Sequence, residues 1–231
     1  TRLVSRSYLE GQQSGRPLLD RAWLNPASTA GLIALSGAGE GDVGRALLAG
    51  RDAEARALLG QWLTLFGDRY YLEIQRTGRP GDEEHVAAAL DLIASQPAPL
   101  VATNDVRFLE SGEFEAHEAR VCIHGGWRLD DPGRPRRYSP AQYLKSPAEM
   151  RRLFADLPEA VENTVEIARR CSLPLTLGRI FMPAFAVPGG ASAAQHLRTL
   201  AAEGLGDRLA RAAPPVTDPT PYRERLEREL G

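Results

Sequence analysis

Apolar residues along the chain alternate between short continuous runs and stripes at helical spacing. Gly31-Leu32-Ile33-Ala34-Leu35, closed by Ser36-Gly37, has the form of a strand buried on both faces. Asp42 to Gly50 fits a short helix with Asp42 as N-cap and Gly50 past its end. Ala53 to Phe66 fits a second helix, since Ala57, Leu58, Trp62 and Leu65 recur at helical spacing. Tyr70-Tyr71-Leu72-Glu73-Ile74 reads as the second strand. After a turn at Thr77-Gly78-Arg79-Pro80-Gly81, a helix runs from Asp82 to Ser95, capped by Asp82 and with acids in its first turn. Pro99 to Thr103 is the third strand, stopping at Asn104-Asp105, and a following helix carries Phe114, His117, Val121 and Cys122. This order predicts an α/β fold with a parallel sheet or barrel.

The flanks are less regular. Residues 1–29 suit a short helix or a loop ending at Asn25-Pro26. Gly126 to Ser139 is a Pro/Arg/Asp loop, followed by short helices around Ala141–Leu144 and Pro147–Phe154 and a longer one from Pro158 to Arg170. Three strands alone do not close a (β/α) barrel, so the fold is expected to be a partial barrel with its other strands upstream. Residues 175–192 lack periodicity, carry Pro183, Pro188 and a Gly pair, and read as a junction. Helices are expected at Ala193–Ala213 and at Tyr222 to Leu230, with Leu226 between them at i, i+4, i+8.

Composition narrows the class. With 231 residues, 43% hydrophobic, 25% charged and a net charge of −2, the chain has enough apolar residues for one real core and no global pull toward polyanions. No run approaches the roughly 18 apolar residues that span a bilayer. Cys122 and Cys171 lack metal or disulfide spacing and are read as buried thiols of a reducing compartment, which predicts the cytoplasm. The chain opens on Thr1 and both methionines, Met150 and Met182, are internal, so a segment of a longer polypeptide is expected.

Gly39-Glu40-Gly41-Asp42-Val43-Gly44 spells the dinucleotide fingerprint GxGxxG. Its context fails: three residues separate it from the strand, the helix is short, and no acid ends the next strand, so a turn and a helix cap account for the glycines. Asp105, just past the third strand, with Arg107 two residues on and Glu73 in the preceding strand, occupies the edge where parallel α/β folds bind ligands. It is placed to hold a metal or orient a substrate, or else to form a turn and cap the next helix. His85, His117, His124 and His196 form no metal-ligand spacing and are expected as hydrogen-bonded structural residues. Arg128 to Lys145 mixes arginines with tyrosines; Arg134, Arg136 and Arg137 are possible DNA or partner contacts, or members of a solvated, salt-bridged loop.

A series of collinear segments resembles the replicative DNA polymerase III alpha subunits of bacteria. They include Leu35-Ser36-Gly37, Gly41-Asp42-Val43-Gly44-Arg45, Tyr71-Leu72-Glu73-Ile74-Gln75-Arg76-Thr77-Gly78-Arg79 and Val101-Ala102-Thr103-Asn104-Asp105-Val106-Arg107-Phe108. Ala116-His117-Glu118, Leu129-Asp130-Asp131-Pro132, Tyr138-Ser139-Pro140, Glu162 to Ala168 and Tyr222 to Leu230 continue the match in order. The resemblance implies that residues 1–174 are the later part of a polymerase-and-histidinol-phosphatase (PHP) domain, and that 175–231 form a junction and the mainly helical start of the palm region.

In that family the PHP barrel can bind divalent metals and, in some members, hydrolyse phosphodiesters. The resemblance puts Asp105 on a ligand position, Arg107 where metal-binding members carry histidine, and Arg76-Thr77 in place of an Asn-His pair. A guanidinium stays protonated and cannot ligate a cation, so a degenerate site of Asp105, Arg107, Arg76 and Thr77 without metal is expected. The resemblance further implies a polymerase that uses magnesium held by carboxylates beyond Gly231, leaving the segment itself inactive. The implied partners are DNA and deoxynucleotides, a proofreading exonuclease subunit, the sliding clamp and the clamp loader, with no membrane. The other readings are a free-standing metal-dependent phosphoesterase of the PHP superfamily and a non-catalytic interaction module.

Overall fold

A computed structural model describes every residue of the chain except Phe181 and Pro183, which lie within the expected junction. The chain divides into two units, Thr1–Leu173 and Pro174–Gly231. The first begins with helix α1 (Arg2–Leu9) and a small antiparallel hairpin, β1 (Gln12–Gln13) and β2 (Arg16–Pro17). Its turn is made by Ser14 and Gly15, both at positive φ, as a two-residue hairpin connection requires. The helix expected in residues 1–29 thus lies earlier than the Leu18–Leu24 apolar group, which instead holds a 3-10 turn at Arg21–Trp23. Arg6 stacks over the Trp23 ring, 4.2 Å from its centroid, and ties the two together.

Next come β3 (Ala34–Leu35), α2 (Asp42–Leu48), α3 (Asp52–Phe66), β4 (Tyr70–Gln75), α4 (Asp82–Ser95) and β5 (Leu100–Thr103). The three strands are parallel in the order β3-β4-β5, in register Leu35 with Tyr71 and Glu73 with Val101. This is the mixed α/β arrangement that the alternation of runs and stripes predicts. After β5 the unit continues through α5 (Phe114–Gly125), α6 (Pro147–Leu153) and α7 (Pro158–Arg170).

Every residue of β4 is buried. Strand alternation then divides its side chains by chemistry. Tyr70, Leu72 and Ile74, with Leu100 and Ala102 of β5, pack against Leu59 of α3, Val86, Ala89 and Leu92 of α4, and Phe154, Leu157 and Ala160 around α7. Glu73, Gln75 and Thr103 occupy the opposite face and satisfy one another by hydrogen bonds. One face of the sheet is therefore the core and the other is polar, and this places the candidate site.

Four sequence expectations are corrected. The Gly31–Leu35 run is not buried on both faces: only two residues form β3, and Ala34 packs against the core while Leu35, on the opposite face, is 42% exposed because that face of the strand is not covered. Residues 141–144 are not helical. They lie beside the chain after β5, with Tyr143 bridging Phe108, Arg107 N donating to Gln142 O at 2.8 Å and Gln142 fully buried. Cys122 is buried but Cys171, at the end of α7, is exposed. The helix caps also differ by a residue. Gly41 and Gly81 precede α2 and α4, since Asp42 binds the Trp62 indole and Asp82 binds Thr77.

In the second unit Pro188–Gly190 forms a 3-10 turn, followed by α8 (Ala193–Ala210) and α9 (Thr220–Leu230). Ser192 and Gln195 make a reciprocal capping box at the start of α8, and Arg198 links the helices through Glu227 at 3.2 Å and Leu230 O at 2.8 Å. Among the described residues no helix is long and apolar enough to cross a membrane.

Candidate functional site

The polar face of β4 and β5 runs out at the C-terminal edge of the sheet. Glu73 is buried there and is held as an acceptor: it takes the Gly37 N–H at 3.0 Å, the Gln75 amide at 3.2 Å and the Thr103 hydroxyl. Ser36 Oγ accepts the Glu73 N–H at 2.8 Å, which locks β3 to β4. Among the described residues the hydrogen-bond donors to this carboxylate are all neutral, so Glu73 meets N–H and O–H groups and not a cation.

Asp105, two residues past β5, has φ 40°, a left-handed conformation that Asp tolerates better than most residues. The turn aims its carboxylate back along the edge. Arg107 Nη2 lies 2.8 Å from Oδ1, Arg79 Nη1 3.4 Å from Oδ2, and the Gln142 amide donates to Oδ2 at 2.8 Å. Arg79 is the hub of the site. Besides Asp105, its guanidinium reaches Gln75 Oε1 at 2.9 Å, Thr77 Oγ1 at 3.0 Å, Glu40 at 2.9 Å and Asp82 at 3.8 Å. Sequence reasoning missed Arg79 as a site residue; its place in a turn right after a buried strand was the available signal.

The structure brings Asp105, Arg107 and Thr77 together but not Arg76. Thr77 is fully buried and binds Asp82 Oδ2 through both N–H, 2.6 Å, and hydroxyl, 2.8 Å. Arg76 follows the alternation to the core-side face, where it stacks over Phe154 and makes a two-pronged bond to Asp156 at 2.6 and 2.8 Å. These bonds hold the Asp156 carboxyl below the usual range. Arg76 therefore staples β4 to the segment between α6 and α7 and leaves the Asp105 cluster to Arg79.

The arginine-rich loop also separates. The Arg134 side chain is only 7% exposed and forms an ion pair with buried Glu118 of α5, so this arginine turns inward, away from any surface contact. Arg136 and Arg137 are exposed. The expectation of hydrogen-bonded histidines is corrected for two of the four: His85 Nε2 and His117 Nδ1 are buried without a hydrogen-bond partner. His117 packs instead between Phe108 and the edge of Tyr138, and burial pushes the imidazoles of both residues below their ordinary pKa. Two of the three glycines of the GxGxxG stretch, Gly41 and Gly44, are there for close backbone approach. A Cβ on Gly41 would sit 1.7 Å from Ser36 O and one on Gly44 2.0 Å from Ala38 O.

Among the described residues no group of three or more His, Cys, Asp or Glu side chains is placed to hold a metal ion. The PHP domain family matches residues 1–77. The chain is 55% identical to the DNA polymerase III subunit alpha of Pseudomonas aeruginosa over 209 residues, covering 90% of the chain and 18% of that protein. It is 48% identical to the Escherichia coli DNA polymerase III subunit alpha over 234 residues and 45% identical to that of Vibrio cholerae over 237, in each case covering 100% of the chain and 20% of the relative. The chain thus spans about a fifth of the length of the curated relatives it matches. Identity at this level along essentially every element described above makes the chain a homologue of one stretch of the bacterial DNA polymerase III alpha subunits, with PHP-domain sequence at its start.

Proposed function

We propose that this chain is part of a replicative DNA-directed DNA polymerase and acts there as a PHP-type scaffold whose sheet edge is held by ion pairs instead of metal. The observation that carries the reading is the environment of Asp105. Two guanidiniums and an amide N–H already occupy its oxygens, and none of the three groups can ligate a cation. The second carboxylate of the edge, Glu73, is taken up by three N–H and O–H donors. A divalent ion at Asp105 would meet two fixed positive charges, so the donor set does not fit the metal cluster of catalytic PHP barrels.

In this reading residues 1–174 are the later part of the PHP domain and 175–231 the junction and start of the palm. Magnesium-dependent nucleotidyl transfer belongs to carboxylates elsewhere in the polypeptide, and the segment by itself is inactive. DNA, deoxynucleotides, a proofreading exonuclease subunit, the clamp and its loader are the partners of the whole subunit, which works in the cytoplasm. The test uses the full-length protein: primer extension with magnesium and four deoxynucleotides, hydrolysis of a simple phosphodiester, and metal analysis of wild type and Asp105→Asn. Extension, with a metal content that Asp105→Asn leaves unchanged, is expected. Hydrolysis without extension would replace the reading with a metal-dependent phosphoesterase.

A further inference from the structure

Two consecutive residues of α5, His117 and Glu118, are buried, and the loop that follows the helix closes over both. Glu118 Oε2 accepts from Arg134 Nη1 in a buried ion pair, and Arg134 Nε donates to Leu129 O at 3.1 Å. One guanidinium thus ties the loop to itself and to the helix. The Tyr138 ring meets the His117 ring nearly at a right angle, with centroids 4.7 Å apart. At its two ends the loop is fastened by the backbone: Trp127 N–H donates to Cys122 O at 2.9 Å, and the Ser139 hydroxyl donates to Thr77 O. Between those ends, Arg134 and Tyr138 hold it to α5.

His117 Nδ1 and Glu118 Oε1 are both buried without a hydrogen-bond partner and lie 3.7 Å apart, too far for a bond between them. With a neutral imidazole the cluster balances, Glu118 against Arg134. A proton on His117 leaves it net positive in a buried place. Arg120 of α5 and Arg107 of the segment after β5 add positive charge near the ring, and the facing carboxylate, Glu118, is already paired with Arg134. An imidazolium would compete with Arg134 for that carboxylate. We propose that residues 126–139 form a proton-released strap: protonation of His117 draws Glu118 from Arg134 and sets a cation against Tyr138, and the loop lifts from α5 while its ends stay fastened. Tyr138 also carries the Arg107 guanidinium, 5.2 Å over its ring, and Arg107 is paired with Asp105. Release of the strap therefore takes an aromatic ring away from the Asp105 cluster. The strap requires nothing of the polymerase reading, since all its contacts fall within residues 77–139.

Burial first, and then Arg120, hold the His117 ring below its ordinary pKa while the strap is closed. In the open state the ring returns to about 6.5, so closure is fully stabilised above that value and weakens as the pH falls through it toward the folded one. One pH unit below 6.5 the open fraction rises by up to about tenfold. The experiment is hydrogen–deuterium exchange of the full-length protein, read by mass spectrometry at about pH 7.5 and about pH 5.5 and corrected for the intrinsic pH dependence of amide exchange. The amides of Asp131, Gly133 and Arg134 are hydrogen-bonded within the loop and report on it. At the lower pH, peptides spanning them should lose up to about tenfold in protection while α5 keeps its own. His117→Phe should abolish that loss, and Glu118→Gln, which cuts the tie to Arg134, should lower loop protection at both pH values. A Tm for each variant verifies that it is folded, and the wild-type contrast between loop and helix stands without them. Loop protection that is equal at the two pH values, a loss that runs equally through α5, the same loss in His117→Phe, or wild-type protection in Glu118→Gln would each overturn the proposal.

Discussion

Asp105 combines a left-handed backbone with a carboxylate shared by Arg79, Arg107 and Gln142, and the two properties can be separated by substitution. Asparagine tolerates the same backbone and keeps an acceptor oxygen but loses the charge. Alanine loses the acceptor as well and is strained at positive φ. Because the cluster is partly exposed, the ion pairs contribute less than a fully buried network would. Asp105→Ala is expected to destabilise by about 2 kcal/mol and Asp105→Asn by about half as much, read as denaturant midpoints at constant slope. Equal losses would mean that charge, and not backbone conformation, accounts for the residue. The Asp105–Arg107 pairing was legible in the sequence because the two stand only two positions apart, with Val106 between them. Arg79 was not, since its five partners come from residues 40 to 105 and only folding assembles them.

At the scale of elements, α4 and α7 begin and end where their periodicity and flanking residues predict, and β4 differs by one residue. Each carries its own instructions: acids in the first turn of α4, Pro158 at the start of α7, and a run of aromatic and branched residues in β4. The 3-10 turn before α2 obeys a different constraint, backbone packing at Gly41 and Gly44. Gly44→Ala places a methyl group 2.0 Å from Ala38 O, where no side-chain rotation relieves the clash. A loss of roughly 2–3 kcal/mol or more is expected, with NAD bound by neither wild type nor variant in a direct binding assay. A Gly44→Ala variant of wild-type stability would mean that the turn is not built as described.

For the whole molecule, acid is the direction of weakness. His85 and His117 have folded pKa values below the ordinary 6.5, through burial first and, at His117, the nearby Arg120 as well. A group that is harder to protonate when folded stabilises fully above its unfolded pKa, and this stabilisation is lost as the pH falls through the folded value. Glu149 acts in the same sense lower down. The Tyr143 hydroxyl and the Ser146 hydroxyl and N–H hold its carboxyl at about 2 against an ordinary 4.5. Stability should therefore fall first below pH 6.5 and again between 4.5 and 2. Thermal melts across this range check the profile. His117→Phe, which keeps an aromatic ring against Phe108 and Tyr138, should reduce the upper step to the share of His85 and leave the lower one.

By itself the sequence determined the alternation of strands and helices, the parallel α/β class, the bounds of the strongly periodic elements and the relationship to a polymerase family. These are local signals or collinear ones, and a chain carries both without folding. Tertiary structure decided which face each side chain serves. It sent Arg76 to Phe154 and Asp156, turned Arg134 in to Glu118, laid residues 141–144 beside the chain after β5, and made the Gly31–Leu35 run an edge. An arginine has the same charge in every one of these settings. What distinguishes a staple from a buried counter-ion is the acceptor that packing brings within about 3 Å, and that acceptor comes from a distant part of the chain.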